Sequence, residues 1–297
     1  MRLLFRRQFL KGMFVSLAIP SFLIACGGNS TAPTTLTPTP ELSSVSNFRD
    51  IAIADHATAY RTSSGQMLRQ GVLYRSSALI PSAEDLVTLN ALGIKVVYDL
   101  RTPTEIAGQA DVLPDGAVYR HINIVGDINS LILPSIASPA EAIALMEDLN
   151  RQFVTNANQR AKFAELFSAI AASDDAQLFH CTAGKDRTGW ATAVLLSLVD
   201  VPRDVIFEDY MLTNSYMAST ISATYNALLT TYGKEFADNY FPAISVQRSF
   251  LEAGFDQVMK SYGSVDNYIT NGLKLDAATQ TKLRHKLVQQ SFGQQAF

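Results

Sequence analysis

Apolar residues along this chain fall into two kinds of run, and the two predict different elements. Short, nearly continuous runs bounded by polar or glycine residues predict strands at Val72–Ser76, Ile94–Leu100, Val118–Val125 and Gln177–Phe179, the second and the last of them buried. The second of these is broken only by Lys95 and Asp99, as expected for a strand covered on both faces. Longer runs with helical spacing lie at Ser82–Leu92, Ser138–Leu149, Asn158–Ala172, Trp190–Val199 and Asp204–Tyr216. Further helices continue to about Gln290, with breaks predicted near Gly233, Gly254, Gly263 and Gly272. Ser82, with Asp85 three residues on and Gly93 past the end, brackets the first helix; Ser138 and Pro139 open another, and Pro202 stops the run that begins at Trp190. Strands alternating with helices predict an α/β fold: a central, mainly parallel sheet flanked by helices, with a helix-rich C-terminal part. The helices between 138 and 172 form the crossover that a parallel connection requires, and they are also placed to act as a lid.

The N-terminus reads differently. Arg6-Arg7-Gln8-Phe9-Leu10-Lys11 matches a twin-arginine export signature, and an apolar stretch from Met13 to Ala25 follows, interrupted by Pro20 and short for a membrane span. It ends in Leu23-Ile24-Ala25-Cys26-Gly27, which resembles a bacterial lipobox, so residues 1–25 are expected to be a signal peptide and Cys26 the lipidation site. Residues 26–45, rich in Thr and Pro, are expected to be a tether, with the folded domain running from residue 46 to residue 297. This reading gives export to the bacterial cell envelope and membrane attachment through the lipid on Cys26. The alternative is an amphipathic N-terminal helix of a cytosolic protein.

Composition adds two constraints. Hydrophobic residues make up 47% of the chain, ample for a core. Losing residues 1–25 would remove Arg2, Arg6, Arg7 and Lys11, four of 24 basic residues, and none of the 27 acidic ones, so a general nucleic-acid-binding surface is not expected. There are only two cysteines, Cys26 and Cys181. With the first lipidated, the second has no intramolecular partner and stays free for chemistry.

Cys181 sits where chemistry is expected. The string His180-Cys181-Thr182-Ala183-Gly184-Lys185-Asp186-Arg187-Thr188-Gly189 connects a predicted strand to a predicted helix. Such a turn gathers backbone N–H groups at the positive end of a helix dipole and cradles an anion. A thiol placed there is expected to be a thiolate and a nucleophile. Arg187 offers a planar fork for two oxygens of a tetrahedral oxyanion, and Gly184 lets the backbone approach without a Cβ. Thr188 is placed to hydrogen-bond the sulfur, and His180 to orient the loop through its ring nitrogens. The bland alternative is a buried cysteine that only packs, beside a solvated arginine.

His-Cys-x5-Arg-Thr-Gly resembles the phosphate-binding loop of cysteine-dependent protein tyrosine and dual-specificity phosphatases, and the fuller string is most similar to the bacterial tyrosine phosphatases. The resemblance implies a phosphocysteine mechanism with Cys181 as nucleophile, Arg187 as phosphate clamp and the amides of 182–187 around the phosphate. It implies no cofactor and no metal, and its substrates would be phosphorylated proteins or phosphoinositides; oligomeric state is left open. Thr182, Ala183, Gly184, Lys185, Asp186 and Arg187 are the implied phosphate-binding residues. A carboxylic acid must protonate the leaving oxygen: Asp186, which matches an Asp in the resembling loops, is favoured, with Asp127 after the third strand as the alternative. Lys185 would favour a second phosphate or an acidic neighbour, unless it is a solvated lysine at the loop tip.

Asn47-Phe48-Arg49-Asp50 resembles an opening motif of the same family, where Gly-Gly usually follows. Here Ile51-Ala52 replaces the glycines and leaves the tight turn open; the alternative is a strand with a surface ion pair. Arg101 is either a second anion contact or, as favoured, a structural partner of Glu105 or Asp99. Tyr210, Tyr216, Tyr225, Tyr232, Tyr240, Tyr262 and Tyr268 are expected to be packing residues. Two rival functions are weighed. A sulfurtransferase also uses a cysteine in an amide loop, but Arg-Thr-Gly argues against it. A surface lipoprotein that binds phosphorylated ligands without turning them over is the non-enzymatic reading.

Overall fold

The structure, a computed structural model, describes residues 38–53, 59–126 and 136–289. The signal-peptide, lipobox and Asp127 expectations, Cys26 included, lie outside the described residues.

Five strands form one sheet in the order β1-β2-β5-β3-β4, with β1 (Arg49–Asp50) antiparallel to β2 (Leu73–Ser76). The other neighbours, β3 (Val96–Asp99), β4 (Val118–His121) and β5 (Gln177–His180), run parallel. β2, β3 and β5 are buried throughout and β4 is an exposed edge strand; it stops at His121, where its pairing with β3 ends at Asp99, short of the apolar run to Val125, whose Ile122 and Ile124 are buried in the core. This is the mainly parallel α/β sheet expected from the alternation of strands and helices.

α1 (Ala83–Ala91) begins at Ser82, whose hydroxyl accepts the Asp85 amide, and Gly93 past its end has φ +67°. The Asp85 carboxylate is turned to the N-terminal segment, accepting from the Ser44 amide at 2.7 Å. Docking in fact starts before the boundary drawn at residue 46: Thr39 is buried and accepts the Asp50 amide, and Val45 packs in a cluster with Phe48, Tyr74 and Leu89.

α2 (Pro103–Gly108) links β3 to β4, and α3 (Pro139–Thr155) with α4 (Ala157–Ala171) links β4 to β5. These last two are the crossover. α4 sinks Phe163, Leu166, Phe167 and Ile170 fully into the main core, and Phe153 of α3 joins them, which a movable lid would not do.

α5 (Arg187–Leu198) is buried at ten of its twelve positions, so it reads as apolar all round and runs through the middle of the molecule. After it come α6 (Arg203–Tyr216), α7 (Ala218–Tyr232), α8 (Lys234–Ile244) and α9 (Arg248–Tyr262). The chain then passes through α10 (Val265–Asn267), a π-helical turn at Tyr268–Gly272, and α11 (Ala277–Leu287). Gly233 and Gly263 separate helices as expected, both with positive φ. Gly254 does not: it lies inside α9, where a Cβ would come within 2.6 Å of the Trp190 ring. Its role is close packing of α9 on α5, with Trp190 set tilted against Phe153 and Phe255 and edge-on to Tyr268. Tyr210, Tyr240 and Tyr268 are core residues, whereas Tyr232 is 59% exposed.

Candidate active site

The loop from Cys181 to Asp186 leaves the C-terminal end of the central strand β5 and enters α5. The ends of β2 and β3 flank it, the position where parallel sheets expose their ligand-binding loops. Its carbonyls are pulled outward. Thr182 O accepts the Ala78 amide at 3.1 Å, and Asn47 Nδ2 donates to Ala183 O at 3.2 Å and Gly184 O at 2.8 Å. Arg75 Nη2 donates to Gly184 O at 2.8 Å. Because a trans peptide sets each carbonyl opposite the following N–H, tying these oxygens outward turns the amides of Ala183, Gly184 and Lys185 inward. None of the backbone N–H groups from Thr182 to Arg187 donates to an acceptor among the described residues. That is an anion cradle. Gly184 closes it at φ +68°, where a Cβ would meet Ser76 O at 2.3 Å.

Cys181 is a free thiol, 2% exposed, at the start of this loop. Arg187, at the other end, turns its guanidinium to Glu105 of α2 with both terminal nitrogens, at 2.8 and 2.7 Å. Glu105 also accepts the Thr182 hydroxyl and, through the capping box that starts α2, the Thr102 amide. Burial alone would raise the Glu105 carboxyl, but the hydrogen bonds and charge of Arg187, the Thr102 amide and the Thr182 hydroxyl outweigh it and hold it near about 2. Glu105 is therefore an orienting anion for Arg187, a role that sequence reasoning assigned to no residue. Its signal was present in the Thr-Pro-Thr-Glu cap after the third-strand run.

His180 is fully buried. Its Nδ1 lies 3.2 Å from the Cys181 carbonyl, and its Nε2 is 3.2 Å from Asp111 Oδ2 but off the line of a hydrogen bond. These contacts place the ring beside the first residue of the loop. The Thr188 hydroxyl is buried and has no hydrogen-bond partner among the described residues, so the bond to the sulfur expected for it is not formed here. Lys185 is neither a solvated tip nor a free charge. It is buried, and its Nζ donates to the Ala243 and Ser245 carbonyls at the end of α8, at 2.5 and 3.2 Å, with Asp186 Oδ2 at 3.6 Å. Asp186, at the N-cap of α5, keeps its other oxygen, Oδ1, buried and without a hydrogen-bond partner among the described residues.

Arg101 is structural, as favoured, and its partners are Asp99 at 2.8 Å and Asp111 at 2.7 Å rather than Glu105. Asp99, Asp111 and His180 have the spacing of a metal-ligand group, but the Arg101 guanidinium already lies between the two carboxylates.

The Asn-Phe-Arg-Asp string lies under the loop. Asn47, at φ +58°, uses its amide nitrogen on the loop carbonyls and its oxygen on Arg49 Nη1. Arg49 is buried against Asp209 of α6 at 3.2 Å, so the surface ion pair is corrected to an internal one. Ile51-Ala52 makes a turn without glycine, because the Asp50 carboxylate accepts the Ala52 amide at 2.9 Å and no positive φ is needed. Arg75 and the Tyr60 hydroxyl also converge on Asp209, at 3.1 and 3.2 Å.

One pH dependence follows. A carboxyl held low in the folded state contributes stability that is fully present above its ordinary value and is lost as pH falls through the folded one. For Glu105 that window runs from about 4.5 down to about 2. The Glu105→Gln variant cannot titrate, so the difference in Tm between the wild type and this variant is expected to shrink across that window. A difference that stays constant would show that the Arg187–Glu105 pair does not stabilise the fold.

Comparison with known proteins gives the family. The sequence profile of the tyrosine phosphatase family matches residues 40–289. A Cupriavidus necator chain, provisionally named a tyrosine-protein phosphatase, is 31% identical over 240 residues, covering 79% of this chain and 84% of its own. The triple specificity protein phosphatase PtpB of Mycobacterium tuberculosis is 28% identical, covering 84% of this chain and 98% of its own. A tyrosine-protein phosphatase of Nostoc commune is 36% identical over 140 residues, 45% of each chain. With a cysteine and an arginine at the two ends of an amide cradle, and a profile match across the whole described domain, the chain belongs to the tyrosine phosphatase family and is a cysteine-dependent phosphatase.

Proposed function

We propose that this protein removes phosphate from phosphotyrosine in proteins, with Cys181 as the nucleophile. The observation that carries the reading is the loop itself: a thiol and an arginine fork at its ends, and six backbone N–H groups, from Thr182 to Arg187, without acceptors among the described residues. The Cys181 thiolate attacks phosphorus, an S–P bond forms, and the P–O bond to the leaving group breaks. The amides of 182–187 and Arg187 hold the three equatorial oxygens as charge spreads over them. Asp186 delivers its proton to the leaving oxygen. It then takes a proton from the water that attacks phosphorus, the S–P bond breaks, and phosphate and thiolate are released. Asp186 suits this role because Oδ1 is buried and unpartnered, whereas Glu105 is kept ionised on Arg187 and has no proton to give.

Lys185 supplies no separate argument for phosphoinositides, since its ammonium group is engaged by two carbonyls. The relatives' names favour phosphotyrosine, and lipid phosphate becomes an outcome of the test. Phosphate release is measured from p-nitrophenyl phosphate, a phosphotyrosine peptide and a phosphoinositide, under reducing conditions. Cys181→Ser is expected to abolish all turnover. Asp186→Asn is expected to slow the peptide, whose leaving oxygen needs a proton, by roughly 10²-fold, and the nitrophenyl ester much less. Turnover that survives Cys181→Ser would end the nucleophile reading; equal loss on both esters would end the acid reading. A phosphoinositide preferred over the peptide would move the substrate class.

Export as a lipoprotein is also proposed, on Arg6-Arg7 and the Leu23–Cys26 string. Cys26→Ser is expected to move the protein from the detergent phase to the aqueous phase in Triton X-114 partition, and an unchanged partition would remove the anchor.

A further inference from the structure

Among the described residues, four cations around the phosphate loop face three carboxyl groups, so at least one cation is left over. Arg187 faces Glu105 at 2.7 Å, Lys185 lies 3.6 Å from Asp186, and Arg49 lies 3.2 Å from Asp209. Among the described residues Arg75 has only Asp209 as an ion partner, at 3.1 Å, and shares it with Arg49. Arg49 and Arg75 are 0% exposed and Asp209 is 2% exposed, so water does not screen the surplus. The phenols that face this cluster, Tyr60 and Tyr210, are pushed up by burial and stay neutral. On the β3 and β5 side, His180 separates the loop from Asp99, Asp111 and Arg101, where the guanidinium bridges both carboxylates.

A buried arginine that shares its counter-ion is costly, and here Nε also lacks a hydrogen-bond partner among the described residues. An apolar side chain of similar length would fill the same space without that cost. What Arg75 touches gives the reason for it. Nη2 donates to the Gly184 carbonyl at 2.8 Å, in the middle of the cradle, and the Cys181 thiolate attracts the guanidinium. Burial and the charge of Arg49 pull Arg75 down to about 9, against Asp209 and Cys181, which leaves it a cation at neutral pH.

We propose that Arg75 is a positioning residue of the phosphate loop: its buried charge, only partly offset by Asp209, stabilises the Cys181 thiolate and the bound phosphate from beneath, and its bond to Gly184 sets the direction of the loop amides. The inference rests on Cys181 being the nucleophile, and its test does not depend on turnover.

In the full-length protein, the rate of Cys181 alkylation by iodoacetamide is followed against pH, reading the Cys181 peptide by mass spectrometry. Arg75→Met is expected to move the midpoint of that profile up by roughly one pH unit. Asp209→Asn, which enlarges the surplus, is expected to move it down, although both variants should lower Tm. Arg75→Lys keeps the charge and should hold the midpoint near the wild-type value. A purely structural role predicts shifts of the same sign for Met and Asn, or none, and either result overturns the proposal. Where Arg75→Met does not fold, the Lys and Asn variants decide: an unmoved or raised midpoint for Asp209→Asn overturns it. Failure of the phosphatase reading itself would appear elsewhere, as turnover surviving Cys181→Ser.

Discussion

Replacing Arg187 by lysine is expected to lower kcat/KM on p-nitrophenyl phosphate by roughly 10³-fold, with most of the loss in kcat. Charge is conserved in this substitution, so the loss measures geometry. The Arg187 guanidinium is planar, and its two terminal nitrogens are spaced to meet both oxygens of Glu105, at 2.8 and 2.7 Å. That grip, with Nη1 also donating to Leu100 O at 3.3 Å and Nη2 to the Thr182 hydroxyl at 3.5 Å, fixes the plane of the fork while Nε–H remains for phosphate. An ammonium group cannot do both, because it is a point charge on a flexible stem. With lysine at this position, Glu105 would also lose its bidentate partner and bring a less compensated negative charge close to an incoming dianion. Glu105→Gln is the companion variant. It keeps an oxygen for Arg187 but loses the charge, and it should lose less activity than Arg187→Lys. Steady-state kinetics and competitive inhibition by orthovanadate check both. A loss below tenfold for Arg187→Lys would show that the fork is not the phosphate clamp.

The parts of this protein that could be read from its sequence are those fixed by local chemistry. The buried strand at Val96–Asp99, the Ser82 and Ser138 caps, and the strand-loop-helix around Cys181 each carry their signal within a dozen residues. Partner choice is a tertiary matter and was less legible. Arg101 and Glu105 are four apart and invited pairing, yet the sheet brings Asp99 and Asp111 to Arg101 and the loop brings Arg187 to Glu105. Asp209 lies about 160 residues from Arg49, with nothing local in its helix to mark it as the buried counter-ion of two arginines. Lys185 had the look of a loop-tip charge, and only the arrival of the α8 carbonyls shows how it is held. Gly254 looked like a helix break because glycine usually weakens a helix, but the close approach of Trp190 overrides that preference.

Gly184→Ala is expected to be the most damaging single-methyl change in the chain, removing both activity and stability. Two independent reasons add. At φ +68° an L-residue with a Cβ is strained by roughly 1–2 kcal/mol even in open space. Here the space is closed: the new carbon would lie 2.3 Å from Ser76 O and 2.5 Å from Ser76 C, both backbone atoms at the end of β2. Neither can give way as a side-chain tip would, so the loop must move instead. Moving it breaks the bonds that Asn47 and Arg75 make to the Gly184 carbonyl, at 2.8 Å each, and with them the inward direction of the Lys185 amide. A shift of the loop by an ångström also displaces Cys181 relative to Arg187, a change of the size that costs about 10²-fold in rate when reacting groups are misplaced. The Gly71→Ala control has a positive φ of its own, with its nearest contact at 3.9 Å, and should show the strain without the collision. Thermal melts and kcat on p-nitrophenyl phosphate separate the two. Gly71→Ala should lower Tm modestly and leave kcat near the wild-type value, whereas Gly184→Ala should lose both. Wild-type kcat in Gly184→Ala would mean that the cradle tolerates a different backbone path and that its amide directions do not set the rate.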